Sequence, residues 1–252
     1  MDLSGVTVVL PALDEAAALP AALASFPPGI DLLVVDNGSR DGTATVAAAA
    51  GARVVTEPRR GFGAACWAGV QASPRAEVIA FADADGSFDG ADLAAVAGPV
   101  VRGQADLVVG SRITGRRAPG AMTPFAVAAN QTLGLACRLL FGVPLSDLGP
   151  FRAIRRDTLL ALGVRDRGQG WPLEMIGRAG QAGLRVVEVP VRYRPRAAGA
   201  SKVSGSLRGS LGATAAMAGV TCRLLAERFR TRARPVATRR PPTTTRTRSA
   251  GR

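Results

Sequence analysis

The stretch FADADGSFDG, Phe81 to Gly90, ends the apolar run EVIAFAD (Glu77 to Asp83) with two carboxylates one residue apart and a glycine directly behind them. An apolar run that stops on acids reads as a buried strand reaching the rim of a sheet. In an extended segment residues i and i+2 point the same way, so Asp83 and Asp85 can face one ligand. Two close carboxylates repel unless a cation neutralises them. The chain contains no histidine, which excludes imidazole bases, Ser-His and Cys-His nucleophiles and His-ligated metals. Any metal is therefore held by oxygen, and hard oxygen ligands suit Mg2+ or Mn2+ bridging a diphosphate, with Gly86 letting the backbone come close. The rival reading, two solvated turn carboxylates, sits poorly with the apolar residues before them.

Outward from this stretch, short β-branched runs alternate with Ala-rich segments of helical length. VTVVL (Val6 to Leu10), DLLVVD (Asp31 to Asp36), ARVVTE (Ala52 to Glu57), EVIAFAD and ADLVVGS (Ala105 to Ser111) read as strands. Glu15 to Ser25, Gly42 to Ala50, Gly63 to Ala72 and Ala91 to Arg102 read as the helices between them. The alternation specifies an α/β fold, a mostly parallel doubly wound sheet with helices on both faces. Ligands of such sheets bind beyond the carboxyl ends of the strands. Four strand ends carry chemistry: Pro11 to Glu15, Asp36 to Asp41, Asp83 to Gly86 and Gly110 to Arg112. Beyond Ile113 the chain turns to Gly/Pro-broken loops, an amphipathic stretch around 124–142 and a last strand, LRVVEVPVRYR (Leu184 to Arg194). No linker precedes about residue 228, so residues 1–227 are expected to form one domain of two halves, 1–113 and 114–227.

The composition agrees with a globular protein, since 252 residues at 47% apolar content supply an ample core. The formal charge of +13 is mostly a tail: nine arginines and no acid lie between Arg228 and Arg252, leaving 23 bases against 19 acids elsewhere. That Pro-, Thr- and Arg-rich tail, 228–252, lacks apolar periodicity and is expected to be a solvated extension, with attraction to anionic lipid second and nucleic acid a distant third. Three widely spaced cysteines, Cys66, Cys137 and Cys222, read as buried free thiols of a reducing compartment. The N-terminus shows no basic segment leading into an apolar one, and no segment offers about 18 uninterrupted apolar residues. A cytoplasmic chain is expected.

The run VVDNGSRDGT (Val34 to Thr43) admits two readings by itself. It is either a tight β–α turn with Ser39 or Asp41 capping the next helix, or a rim carboxylate accepting hydrogen bonds from a base or sugar. Joined to FADADGSF (81–88) and to PALDEA (11–16), RRGFGAA (59–65), DLVVGSR (106–112), DLGPFRAIRRD (147–157), GWPLEM (170–175) and EVPVRYRPRAAGASK (188–202), it is far more specific. With this set the chain resembles the family 2 glycosyltransferases, and among them the polyprenyl-phosphate sugar transferases of the dolichyl-phosphate mannose synthase type. The resemblance implies a GT-A-type fold with a nucleotide-sugar half, 1–113, and an acceptor half, 114–227. It implies that Pro11, Leu13, Glu15, Asp36 and Gly63 serve the donor nucleotide-sugar, a GDP- or UDP-hexose, while Asp83 and Asp85 hold its metal–diphosphate. It further implies that Arg112, with Arg152, Arg194 and Lys202, faces an acceptor phosphate. Asp14 stands where the family usually has Asn.

An ionised phosphate acceptor attacks an anomeric carbon without a strong base, which suits a chain lacking histidine. The expected reaction is inverting transfer of a hexose to polyprenyl phosphate, with Asp85 and Arg112 as catalytic groups and a peripheral contact at the inner face of the membrane. A hydroxyl acceptor on a soluble molecule or glycan is the alternative. It would need a base, and Glu174 or Asp147 is the candidate. A non-catalytic binder of anionic membrane or nucleic acid would explain the tail and leave the two aspartates idle. For membrane contact, Leu207 to Leu225 reads either as an interfacial helix or as a core-packed one.

Overall fold

The computed structural model describes residues 1–198 and 207–232. Strands β1 (Val6–Ala12), β2 (Asp31–Asp36), β3 (Arg53–Thr56), β4 (Val78–Phe81), β5 (Leu107–Ser111), β6 (Arg152–Arg155) and β7 (Val186–Pro190) form one sheet in the order β3-β2-β1-β4-β6-β5-β7. β1 and β4 are buried along nearly their whole length, which is why they read as unbroken apolar runs: a parallel sheet covered on both faces has no solvent side to alternate with. Only β6 runs antiparallel, between β4 and β5.

Helices α1 (Leu19–Ala24), α2 (Thr43–Ala49), α3 (Phe62–Gln71), α4 (Leu93–Val101), α5 (Pro124–Phe141), α6 (Arg156–Leu162), α7 (Trp171–Gln181) and α8 (Leu207–Arg232) cover the faces. One core joins Val9, Leu33, Ile79, Phe81 and Leu107 to α3, α5 and α7. The other joins Val8, Leu10, Val34, Ala80 and Val108 to α1 and α4. The mostly parallel, two-faced α/β architecture expected from the sequence is the one observed.

Several details differ. α1 begins at Leu19 rather than Glu15, because the Glu15 and Ala16 amides are taken by Thr43 Oγ1 (2.9 Å) and Asp41 Oδ2 (3.0 Å), and Pro20 then sets the first turn. β6, α6 and α7 were not anticipated; the arginines of FRAIRR disguise a strand whose Arg152 is itself buried. The last strand stops at Pro190, and Tyr193 makes only isolated bridges to Phe88 and Arg117. Cys222 is exposed, unlike Cys66 and Cys137. In α8, Val220 and Leu224 are buried against α7, while the described residues between 212 and 219 are exposed or half-buried. α8 also runs on to Arg232, past the expected domain end at 227. Lys202 and residues 233–252 lie outside the described residues.

Candidate active site

The parallel register puts the carboxyl ends of β1, β2 and β4 on one rim. Ala12 is level with Asp36, Asp36 with Thr56, and Val9 with Phe81, two residues before Asp83. Pro11, the last residue but one of β1, and Leu13, just beyond it, are half-buried on this rim. Asp36 accepts the Ser39 amide (2.9 Å) and so shapes its turn while staying at the strand end. The loop after β1 is stitched to the loop after β2. Asp14, at φ 50°, donates its amide to Ser39 Oγ (2.9 Å) and accepts the Arg40 amide (2.7 Å). The bond from Arg40 holds that short polar side chain in place and so helps to fix a left-handed backbone that most residues resist.

Asp85 is buried, and its Oδ1 accepts the Ser87 amide at 2.9 Å. Its Oδ2 meets Arg196 Nη2 at 3.0 Å, and Arg196 Nη1 reaches Glu15 Oε1 at 3.4 Å. The Asp85 carbonyl accepts the Ala197 amide and the Ser87 carbonyl accepts the Arg194 amide, so the segment 194–197 lies along 85–87. Gly86 has φ 73°, and a Cβ there would stand 3.1 Å from the Ala197 methyl. Burial pushes the Asp83 carboxyl up to about 7, with the charge of Asp85 acting the same way and Arg112, Arg196 and Arg152 opposing. Two carboxylates held at a rim where one is driven toward protonation form a donor set short of positive charge. That fits a hard divalent cation. Among the described residues no third acid or thiol joins them, so such an ion would complete its shell with water and substrate oxygens.

Arg112 is fixed by Asp147, whose Oδ2 accepts its Nε (2.8 Å) and amide (2.8 Å) while Oδ1 accepts Nη2 (2.7 Å). Nη2 also meets Asn130 Oδ1 at 3.2 Å, and the guanidinium lies 5.3 Å from the Tyr193 ring centre. Burial works against the Arg112 charge, yet the bonds from Asp147 outweigh it and hold the group protonated more firmly than a free arginine. A cleft of about 460 Å3 opens nearby, lined by Thr114, Gly115, Arg116, Pro190 and Arg192 among others. A larger groove of about 780 Å3, where α5, α7 and α8 converge, shares no residue with this rim.

Three expected site residues, Gly63, Glu174 and Arg152, are placed otherwise. Gly63 does not offer its amide to a ligand: Gly63 and Ala64 donate to the carbonyls of Gly168 and Arg167, and a Cβ on Gly63 would press on Asp166 O at 2.7 Å. Its smallness admits the 166–168 loop. Glu174 is no free base. Its buried carboxylate accepts the Arg165 and Asp166 amides, Arg178 Nε (2.8 Å) and Arg223 Nη2 (2.9 Å). Arg152 is only 1% exposed, so it is not a surface ligand for an acceptor. Burial lowers its pKa to about 10, Cys66 and Asp83 opposing that shift, and its buried Nε and Nη1 have no hydrogen-bond partner among the described residues. Arg194, half-exposed, pairs with Asp89 at 2.8 Å. Asp83, Asp85, Asp36, Glu15 and Arg112 stand on the rim as expected. The sequence motifs single out neither Arg196 nor Tyr193; the contacts of Tyr193 with Phe88 and Arg112 come from distant segments.

The model of the family described as Glycosyl transferase family 2 matches residues 7–159. A Mycobacterium tuberculosis protein named as an uncharacterized glycosyltransferase is 51% identical over 210 residues, covering 82% of this chain and 93% of its own length. The polyprenol monophosphomannose synthase of Mycolicibacterium smegmatis is 32% identical over 222 residues, covering 79% and 81%. Among solved structures, glucosyl-3-phosphoglycerate synthase from Mycobacterium tuberculosis, in complex with Mn2+, UDP-glucose and phosphoglyceric acid, superposes with a TM-score of 0.68 at 25% identity, covering 86% of this chain and 79% of that one.

Proposed function

The chain belongs to glycosyl transferase family 2, and from that premise we propose that it moves a hexosyl group from a nucleoside-diphosphate sugar to the phosphate of a polyprenyl phosphate at a membrane surface. The observation that carries the acceptor is the state of the two candidate bases. Glu174 is saturated by two arginines and two amides, and Asp147 by Arg112. A hydroxyl acceptor would need one of them free; a phosphate, already ionised near neutral pH, needs neither. The relative named polyprenol monophosphomannose synthase points the same way.

In this reading Pro11, Leu13, Glu15 and Asp36 receive the nucleoside, and Asp83 and Asp85 hold Mg2+ or Mn2+. When bound, that ion supplies positive charge against the diphosphate. The acceptor phosphate oxygen attacks the anomeric carbon as the bond from that carbon to the diphosphate oxygen breaks. The electron pair leaves on the nucleoside diphosphate, and the configuration inverts. Arg112, locked by Asp147, presents fixed positive charge at the side of the rim where the phosphate arrives, at no reorganisation cost during the step.

A second reading, transfer to a small phosphorylated carboxylic acid, is favoured by the solved synthase with phosphoglyceric acid bound. Incubation with UDP- or GDP-hexose, Mn2+ and either a detergent-dispersed polyprenyl phosphate or 3-phosphoglycerate separates the two. Hexosylated lipid phosphate is the expected product by mass spectrometry, and turnover of 3-phosphoglycerate alone overturns the lipid acceptor.

A further inference from the structure

The large apolar side chains exposed in this structure are concentrated on one helix. Phe125, Leu135 and Leu139 of α5 are 78%, 54% and 73% exposed. At 100° per residue they fall, with exposed Ala128 and Thr132, on one stripe about 20 Å long, while Gly134, Cys137 and Phe141 face the core. A helix this firmly placed, capped by Thr123 at one end and closed by Gly142 at the other, does not expose such a stripe through fraying. Soluble surfaces seldom present contiguous apolar area of this kind without a partner.

The charge around the stripe selects the partner. α5 carries no acid, and Arg138 stands exposed beside Leu139. Arg228 donates to the Leu140 carbonyl at 2.9 Å, and Arg116 and Arg117 are exposed in the loop that leads into α5. An apolar stripe edged by arginines matches the acyl–headgroup boundary of an anionic bilayer, where a helix lies in the plane of the surface. It matches a second copy poorly, since copies of this stripe would bring arginines together. α5 also touches the site itself, through Asn130 on Arg112.

We propose that α5 is the membrane-docking element, lying flat on anionic lipid with Phe125, Leu135 and Leu139 inserted, so that the Arg112 end of the rim is held over the acceptor's phosphate. The docking rests on the lipid-acceptor reading for its purpose, though not for its measurement. Full-length protein is sedimented, without donor or acceptor, with phosphatidylcholine vesicles containing or lacking phosphatidylglycerol at low salt. The triple variant Phe125→Ser, Leu135→Ser, Leu139→Ser should partition about tenfold less or weaker still, and Arg138→Glu should weaken binding only to the anionic vesicles. A thermal-shift response to UDP-glucose with Mn2+ equal to that of the wild type certifies the fold. The triple variant should keep turnover on detergent-dispersed acceptor and lose it on vesicle-embedded acceptor. Pelleting of the triple variant equal to the wild type overturns the docking face, because charge elsewhere would then suffice. So does a wild type that stays in the supernatant, or a stripe whose loss changes only the oligomeric mass in light scattering. Failure of the lipid-acceptor reading shows separately, as absent hexosyl lipid with vesicle binding intact.

Discussion

Asp83 is costly to the fold. Its carboxyl, ordinarily near 3.8, is pushed up to about 7 by burial and by Asp85. Between those values the folded state keeps a proton that the unfolded chain has released. For a raised carboxyl, linkage then makes metal-free stability fall as pH climbs from about 4 to 7. Asp83→Asn should melt higher than the wild type at pH 8, by about 2–4 °C for each ~1 kcal/mol of strain relieved in a chain of this size. Near pH 4 the gap should close. Melting curves of the two proteins that run parallel from pH 4 to 8 would refute the placement. Asp85→Asn instead tests the reaction: turnover should drop by about 10² or more in a variant that still melts cooperatively. Full activity of that variant, or of the wild type in excess EDTA, would remove the metal. Both aspartates were legible because their spacing on a strand carries its own geometry. Arg196 was not, since its partner Glu15 lies 181 residues away along the chain and no local pattern announces such a pairing.

Among the elements, α7 shows how a charged residue in a motif can be architecture. Glu174, buried near its N-terminus, ties together the 165–166 backbone, Arg178 of the same helix and the partly exposed Arg223 of α8. Breaking a buried ion pair from one side leaves the partners uncompensated, a cost of roughly 3 kcal/mol or more. Glu174→Gln should lower the urea midpoint while kcat for the folded enzyme on polyprenyl phosphate stays within about threefold. Collapse of kcat with the urea midpoint unmoved would restore Glu174 as a base. The same scale explains what the sequence concealed. Strands covered on both faces were read easily, because their apolar runs are continuous. β6 was missed because it carries Arg152 and Arg155, and because Arg152 is buried only by virtue of its place between Phe81 and Val109 in the sheet. α1 was read four residues early because side-chain bonds from the neighbouring loop, which are tertiary, claim the first amides.

The molecule as a whole is one sheet sewn from two halves. β6 and β7, from the second half, pair with β4 and β5 of the first, so β4 and β5 are joined only through β6. Residues 1–113 alone would leave both strands with open, apolar edges, which favours aggregation over independent folding. The chain has two tryptophans, one in each half. Trp67 of α3 and Trp171 of α7 lie 6.3 Å apart between ring centres, with the Arg167 guanidinium 4.6 Å and 5.6 Å from their respective rings. Tryptophan fluorescence therefore reports contact between the halves, whereas far-UV circular dichroism reports helices throughout. If the two halves form a single cooperative unit, the two signals should trace the same urea transition, and UDP-glucose with Mn2+ should move both together, by about 2.7 kcal/mol at a hundred times Kd. A fluorescence transition that precedes the dichroism one, or a ligand that shifts only one of them, would show that the first half stands by itself and that the second docks onto it as a separable body.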